Sequence, residues 1–192
     1  MKIIAFRHGE SIGNKKNIVQ GHTDFDLTDK GIKQAEKLRE KLNIENNDSS
    51  IHAYSSDLLR ALNTAKIVFP NEDIQTDSRL REQDFGSVVG SMDSFLESNP
   101  EYLLKNKDAF KRKFPSGGES IIDVKDRVHD FMSKIVKNHN KDDIIYISCH
   151  YTVLISIISI FDNEPIQDIW PKVHFDNCDL VEYEYNPADK LI

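Results

Sequence analysis

Arg7 and His8 stand directly behind an unbroken apolar run, "KIIAF" at positions 2–6, and Gly9 follows them. The placement recurs along the chain. His150 follows "IIYISC", Arg60 comes shortly after "IHAY", and Glu82 follows "IQTDSRLR". If each run is a strand of one sheet, two histidines, two arginines and a glutamate meet at one sheet edge. Taken singly, each is an ordinary surface or satisfied core residue. Together they describe an anion site with a nucleophile in it. Guanidinium forks match phosphate oxygens in bidentate geometry, and a neutral imidazole between them can attack phosphorus. Phosphate monoesters need up to ~10²¹-fold acceleration, so division of the reaction through a phosphohistidine is chemically reasonable. A carboxyl group such as Glu82 supplies the missing proton, first to the leaving alcohol and then, as a base, from water.

Such a cluster needs strands that end together. "KIIAF" and "DDIIYIS" (142–148) are β-branched and aromatic runs of the kind that is covered on both faces. Helical patterns lie between them. Ile32, Ala35, Leu38 and Leu42 repeat at helical spacing behind Thr28 as N-cap, and "LLRALNTAKIVF" continues in the same style. A third helix over about 120–138 starts at a Ser120/Asp123 capping pair, with Val124, Val128, Phe131 and Ile135 as its stripe. "TVLISIISIF" reads as a buried helix and "LVEYEYN" as a half-exposed strand. The alternation predicts an α/β three-layer sandwich, a mostly parallel central sheet with helices on both faces and a ligand beyond the strand C-termini. A single domain over 1–192 is expected, with a helical excursion at about 87–116 over the active site.

The chain has 192 residues, a formal net charge of −7 and two cysteines, Cys149 and Cys178. That balance argues against nucleic acid or anionic membrane as the main partner, and against a disulfide framework or a zinc ribbon. The apolar stretch behind Lys2 is too short for a signal-peptide core, so a cytoplasmic location is expected.

"RHGESIGN" at 7–14 resembles the Arg-His-Gly signature of the histidine phosphatase superfamily, which contains cofactor-dependent phosphoglycerate mutases and fructose-2,6-bisphosphatases. The resemblance continues in order through "QGHTDFDLTDKGIKQA", "YSSDLLRALNTA", "LREQDFG", "PSGGES" and "ISCHYT". It implies a phosphoglycerate mutase-like fold with one antiparallel strand and no metal or other cofactor. By the same resemblance His8 is the phosphorylated nucleophile, with Arg7, Arg60, His150 and Asn14 on the phosphate. Glu82 is the proton donor, and Gln20 and Gly21 contact substrate near the pocket mouth. Three positions depart from the pattern, of which Asp26, in place of a frequent proline before Leu27, is loop variation. Val89 stands where many members carry glutamate, and Tyr151 stands where glycine commonly follows the histidine, which puts a side chain beside the phosphate pocket while leaving a backbone N–H to donate.

Other chemistries compete. "DFDLT", Asp24 to Thr28, matches the Asp-x-Asp-x-Thr signature of magnesium-dependent aspartyl phosphatases, yet here it sits in a loop before a helix rather than at the end of a buried strand. Cys149 suggests a thiol mechanism, but position 155 is isoleucine where such enzymes carry arginine, so Cys149 is expected to pack beneath His150. A phosphoglycerate mutase and a phosphate-binding module without turnover are the alternatives to a phosphatase acting on a small phosphomonoester. The basic run "KNKDAFKRK" at 105–113 offers Lys111, Arg112 or Lys113 as a clamp for a second anionic group, or simply forms a solvated helix face.

Overall fold

The computed structural model describes residues 1–44, 50–88, 90–98, 109–114 and 117–186. Its sheet has five strands in the order β3-β2-β4-β1-β5: β1 Lys2–Arg7, β2 Ile51–Ser55, β3 Ile74–Thr76, β4 Ile144–Cys149 and β5 Leu180–Glu184. β1, β2, β3 and β4 run parallel, and β5 pairs antiparallel with β1. The two apolar runs that predict central strands are the two at its middle, and every residue of β4 is buried.

Strand alternation sorts the core into two layers. Ile4 and Phe6 of β1 with Tyr146 of β4 face α2 (Asp29–Leu42) and α3 (Leu59–Val68), where Ala35, Leu38 and Val68 cover them. Ile3, Ala5, Ile145 and Ile147 face the other way, against α5 (Ile121–Asn138) and α6 (Tyr151–Phe161). The capping pair behaves as expected: Ser120 accepts from the Asp123 N–H while the Asp123 carboxylate accepts from Ser120. Thr28 caps α2 through Gly31 N–H. Ile32 departs from the expected stripe of α2. It is 38% exposed, because the turn that packs inward is Gly31, Ala35 and Leu38.

The expected strand "IQTDSRLR" is also shorter than that run. β3 stops at Thr76, and Asp77 caps a 3-10 turn at Ser78–Leu80, so Glu82 is delivered by a turn rather than by a strand end. Asp77 diverts the chain because its carboxylate offers the Arg79 N–H a local partner that a ladder would otherwise supply. Of the excursion expected at 87–116, α4 (Met92–Ser98) and a 3-10 turn at Ala109–Lys111 are described, whereas Val89, residues 99–108 and residues 115–116 lie outside the described residues. Phe95 and Phe114 pack with Phe85 and Val19, and Val19 N–H donates to Gly90 at 3.1 Å, which fastens this segment to the loop after α1 (Ile12–Lys15). Among the described residues no helix is long and apolar enough to cross a membrane.

The start of α2 lies almost on the loop after β1. A Cβ on Gly31 would stand 2.1 Å from the Glu10 carbonyl oxygen, and one on Gly9 2.5 Å from the Gly31 oxygen. Both obstacles are backbone, so neither can swing aside. Gly31→Ala is expected to lower stability, since overpacking costs about 1–3 kcal/mol against the ~1 kcal/mol that alanine gains in a helix. Urea unfolding checks this, with Lys33→Ala on the exposed face of α2 as the variant that leaves the midpoint in place.

Candidate active site

Register brings the two histidines together. Arg7 pairs with Cys149 at the end of the β1/β4 ladder, and the His8 N–H then donates to the Cys149 carbonyl at 3.0 Å. Their next side chains emerge at neighbouring strand ends, with the His8 and His150 rings 5.2 Å apart between centroids. Both are buried, His8 at 3% and His150 at 0% exposure. His150 is also the N-cap residue of α6 and spends no side-chain hydrogen bond on that cap.

The protonation of His8 follows from its neighbour. Nδ1 lies 2.7 Å from the Gly9 carbonyl oxygen. A carbonyl only accepts, so Nδ1 carries the proton and the lone pair is on Nε2. Burial, then the Arg60 and Arg7 charges, hold His8 well below the ordinary imidazole range. Burial, then Arg60, with smaller contributions from His8, Arg127 and Arg7, does likewise for His150. A neutral imidazole with a free Nε2 is the form that attacks phosphorus.

Arg60 is 1% exposed on the first turn of α3. Its Nη1 donates to the Thr23 carbonyl at 3.0 Å and its Nη2 to Gly21 at 2.8 Å. Burial lowers its pKa to about 10, so it remains a cation. Arg7 donates through Nη1 to Phe175 oxygen at 2.6 Å. The Nε atoms of both arginines and both ring nitrogens of His150 are buried without a hydrogen-bond partner among the described residues. Buried donors are nearly always paired, at a cost of about 1–3 kcal/mol when they are not. Three of these four atoms carry a hydrogen, the two Nε–H groups and one ring N–H of the neutral His150, and an incoming phosphoryl group can accept from all three.

Glu82 rests on the start of α6. Its Oε2 accepts from Tyr151 N–H at 3.1 Å, and its Oε1 from Thr152 N–H at 3.3 Å and Gln83 N–H at 2.9 Å. The Tyr151 amide is therefore engaged with Glu82. Its ring lies among Trp170 and Phe175, with the Arg7 guanidinium 5.6 Å from its centroid. The residue that departs from the glycine of the resembled pattern thus supplies Arg7 with a cation–π shelf.

The other residues expected at the site make contacts of their own. Asn14 Oδ1 accepts from Ser11 N–H at 3.1 Å, and Gln20 Oε1 accepts from Ser11 Oγ at 2.7 Å. Gly21 adopts φ +47°, and its carbonyl is the one that fixes Arg60. Lys111, Arg112 and Lys113 are exposed, and Lys113 Nζ lies 3.2 Å from Asp123. Residues 105–108 of the basic run lie outside the described residues.

Several positioning contacts are invisible to motif reading. Arg127 on α5 pairs with Glu119 at 2.8 Å and donates to the carbonyls of Arg79 and Glu82, so it holds the turn that presents Glu82. Its sequence signal is an arginine set against the apolar stripe of a helix. Asn177 donates to the His8 carbonyl at 2.9 Å, and Thr64 Oγ1 accepts from Gly9 N–H at 3.0 Å. Asn177 comes from a turn with no periodicity, so nothing in the sequence points to it.

The competing motifs take other places. Asp24 accepts from Leu59 N–H at the start of α3, and Asp26 from Asn63, so both aspartates of "DFDLT" brace helix α3 from a loop. Cys149 is fully buried in the α5/α6 core, and burial, then Glu82, drives its thiol pKa far up. It is not a thiolate.

The family model of the histidine phosphatase superfamily, branch 1, matches residues 3–192. A phosphoglycerate mutase-like protein 4 of Arabidopsis thaliana is 33% identical over 77% of this chain and 65% of its own length. A metal-independent phosphoserine phosphatase of the same plant is 34% identical over 77% of this chain and 63% of its length. The chain thus spans slightly under two thirds of each. The solved structure of YhfR from Bacillus stearothermophilus superposes with a TM-score of 0.81 at 28% identity, over 96% of this chain and 91% of that one.

The depressed histidines make stability depend on pH with a definite sign. Unfolded, both titrate near 6.5, and folded both stay neutral well below that. As pH falls below 6.5 the unfolded chain binds protons that the native chain does not, and stability drops. The slope approaches about 1.4 kcal/mol per pH unit for each histidine. Urea unfolding at pH 7.5, 6 and 5 is expected to show this loss, and His150→Asn should flatten the slope by up to one proton. An unchanged slope would mean that His150 is charged in the native state.

Proposed function

This chain belongs to the histidine phosphatase superfamily, and we propose that it is a metal-independent phosphomonoester hydrolase that works through a phosphorylated His8 on a small phosphorylated metabolite. The observation that carries this reading is the set of four unpartnered buried nitrogens beside an imidazole whose Nε2 lone pair is free. The phosphoryl oxygens take the arginine Nε–H groups and a ring N–H of His150 as donors. The substrate enters as its monoanion and passes its proton to the Glu82 carboxylate; His8 Nε2 then attacks phosphorus, the phosphorus–oxygen ester bond breaks, and Glu82 gives that proton to the departing alkoxide. In the second step Glu82 takes a proton from water, the water oxygen bonds to phosphorus, and the bond to His8 breaks.

Each positive group acts because it is fixed before the substrate arrives. Carbonyls of Gly21, Thr23 and Phe175 aim the two guanidinium groups. A donor preorganised in a dry site gains more from developing charge than one that must reorient in water. The name of the Arabidopsis relative, a metal-independent phosphoserine phosphatase, supports a small metabolite as substrate.

Three measurements test the reading together. Wild-type protein freed of metal with EDTA should release phosphate from p-nitrophenyl phosphate, and an acid-labile phosphoenzyme should be trapped that is lost in His8→Ala. Arg60→Ala should reduce the rate about 10²-fold or more, as when an oxyanion donor is removed. Glu82→Gln should slow alkyl phosphates more than the nitrophenyl ester, whose leaving group barely needs a proton. Turnover abolished by EDTA and restored by Mg²⁺, or phosphate binding without turnover, would overturn it. A panel of small phosphomonoesters, with a coupled phosphoglycerate mutase assay alongside, identifies the substrate class.

A further inference from the structure

At the opposite end of the sheet, three side chains turn toward one point. His52 is the second residue of β2, His139 is the C-cap of α5, and Asp143 immediately precedes β4. His52 Nε2 lies 3.5 Å from Asp143 Oδ2, and His139 Nδ1 lies 3.5 Å from the same oxygen. The two rings are 4.2 Å apart between centroids, and one atom of each of the three residues fits within 4.8 Å of the others.

We propose that His52, His139 and Asp143 form a binding site for a divalent transition-metal ion of the zinc class, separate from the phosphate chemistry. Ser50 Oγ lies 3.2 Å from His52 Nε2 and would give way to an ion, whereas the two contacts to Asp143 are longer than a hydrogen bond. An N–H···O bond closes to about 2.7–3.2 Å, and both contacts exceed that. Ligand atoms bound tetrahedrally at about 2.0–2.2 Å stand about 3.3–3.6 Å apart, which matches both contacts to Asp143, and the two ring nitrogens lie within 4.8 Å of each other. Two imidazoles and a carboxylate suit zinc and its neighbours rather than magnesium or calcium, which prefer oxygen.

The outer contacts agree. Tyr54 Oη lies 2.8 Å from His139 Nε2, so that nitrogen is engaged and Nδ1 is left to ligate. Asn140 N–H donates to Asp143 Oδ2 at 2.8 Å and fixes the carboxylate. Such partners orient metal ligands in most histidine sites. Asp143 is buried while the His52 side chain is 29% exposed, which gives an ion a way in and leaves room for water as a further ligand. The seven steps from Asp143 to His150 along β4 span roughly 20 Å, so the ion would not touch the reacting phosphate. It would bind the end of α5 to the beginnings of β2 and β4.

The test uses the untagged chain, stripped with EDTA, dialysed, and titrated with Zn²⁺ or Co²⁺. One equivalent of Zn²⁺ per chain is expected, with Tm raised by about 5–10 °C at a hundredfold excess over Kd. Co²⁺ should develop the visible bands of a four-coordinate site, and His52→Gln and Asp143→Asn should each lose both signals. Ring ¹⁵N shifts in the wild-type chain give a reading independent of any variant: His52 Nε2 and His139 Nδ1 should move on Zn²⁺ addition while the His8 and His150 nitrogens stay. No bound equivalent, Co²⁺ bands that survive in both variants, or shifts at His8 and His150 instead would overturn the proposal. Stripping should lower Tm and leave p-nitrophenyl phosphate turnover unchanged, which separates this site from the catalytic reading.

Discussion

Positive charge held out of water at the C-terminal edge of the sheet is the constraint around which the structure is arranged. Arg60 is almost wholly buried and remains cationic, and Arg7 lies beside it with its Nε out of solvent. A buried cation is tolerable only where fixed dipoles or an opposite charge meet it. Carbonyls from two separate loops do this, Gly21 and Thr23 in one and Phe175 in the other, and Glu82 is the strongest opposing charge for both arginines. The loops carrying those carbonyls are thereby tied to the same few ångströms. Gly21 takes a left-handed φ of +47° in one of them, and a Cβ there would meet Phe85 at 3.2 Å. The imidazoles remain neutral chiefly because they are buried and secondarily because the guanidinium groups repel a proton. The arrangement that makes the site costly to fold is therefore also what makes it reactive.

The sheet was legible because its two middle strands are apolar on both faces. "KIIAF" and "IIYIS" admit no alternation, and only a position between helices on both sides accommodates that. Once those strands are parallel and in register, His8 and His150 must be neighbours, so much of the centre follows from two short runs. The helix starts were legible for a local reason: Thr28 and Ser120 bond within their own first turns. β3 was not legible at its end. Nothing in "IQTDSRLR" reveals that Asp77 will pair with Arg79, and Arg79 in turn with Asp130 of α5, closing a turn in place of a strand. The first contact is local and the second joins distant segments, and a hydrophobic period encodes neither.

The same division separates the residues proposed to carry chemistry from those that aim them. Arg7, His8, Arg60 and His150 lie at ends of elements that the pattern locates. Arg127, Glu119 and Asn177 act through backbone carbonyls and each other, and carbonyls are present at every residue, so their choice of partner leaves no trace in residue type. Ile32 errs in the opposite direction. Its spacing fits an apolar stripe, but α2 turns its glycine side toward the loop after β1, and the isoleucine faces solvent. Close backbone approach decided the rotation of that helix.

Tyr151 shows how a departure from a pattern can be absorbed. A glycine after the second histidine leaves its amide exposed to whatever lies in front of the helix. Here the amide is taken by Glu82, and the ring turns outward against Trp170 and Phe175, below the Arg7 guanidinium. The side chain therefore adds to the packing that orients Arg7. The helix amides of Tyr151 and Thr152 fix the glutamate by its oxygens, while Arg127 and His22 fix it by its carbonyl. Glu82 is thus gripped at both ends although it comes from an irregular turn. The proton donor proposed here needs that precision, because a misplacement of about 1 Å can cost about 10²-fold in rate. In this fold the turn supplies the reach and the start of α6 supplies the aim.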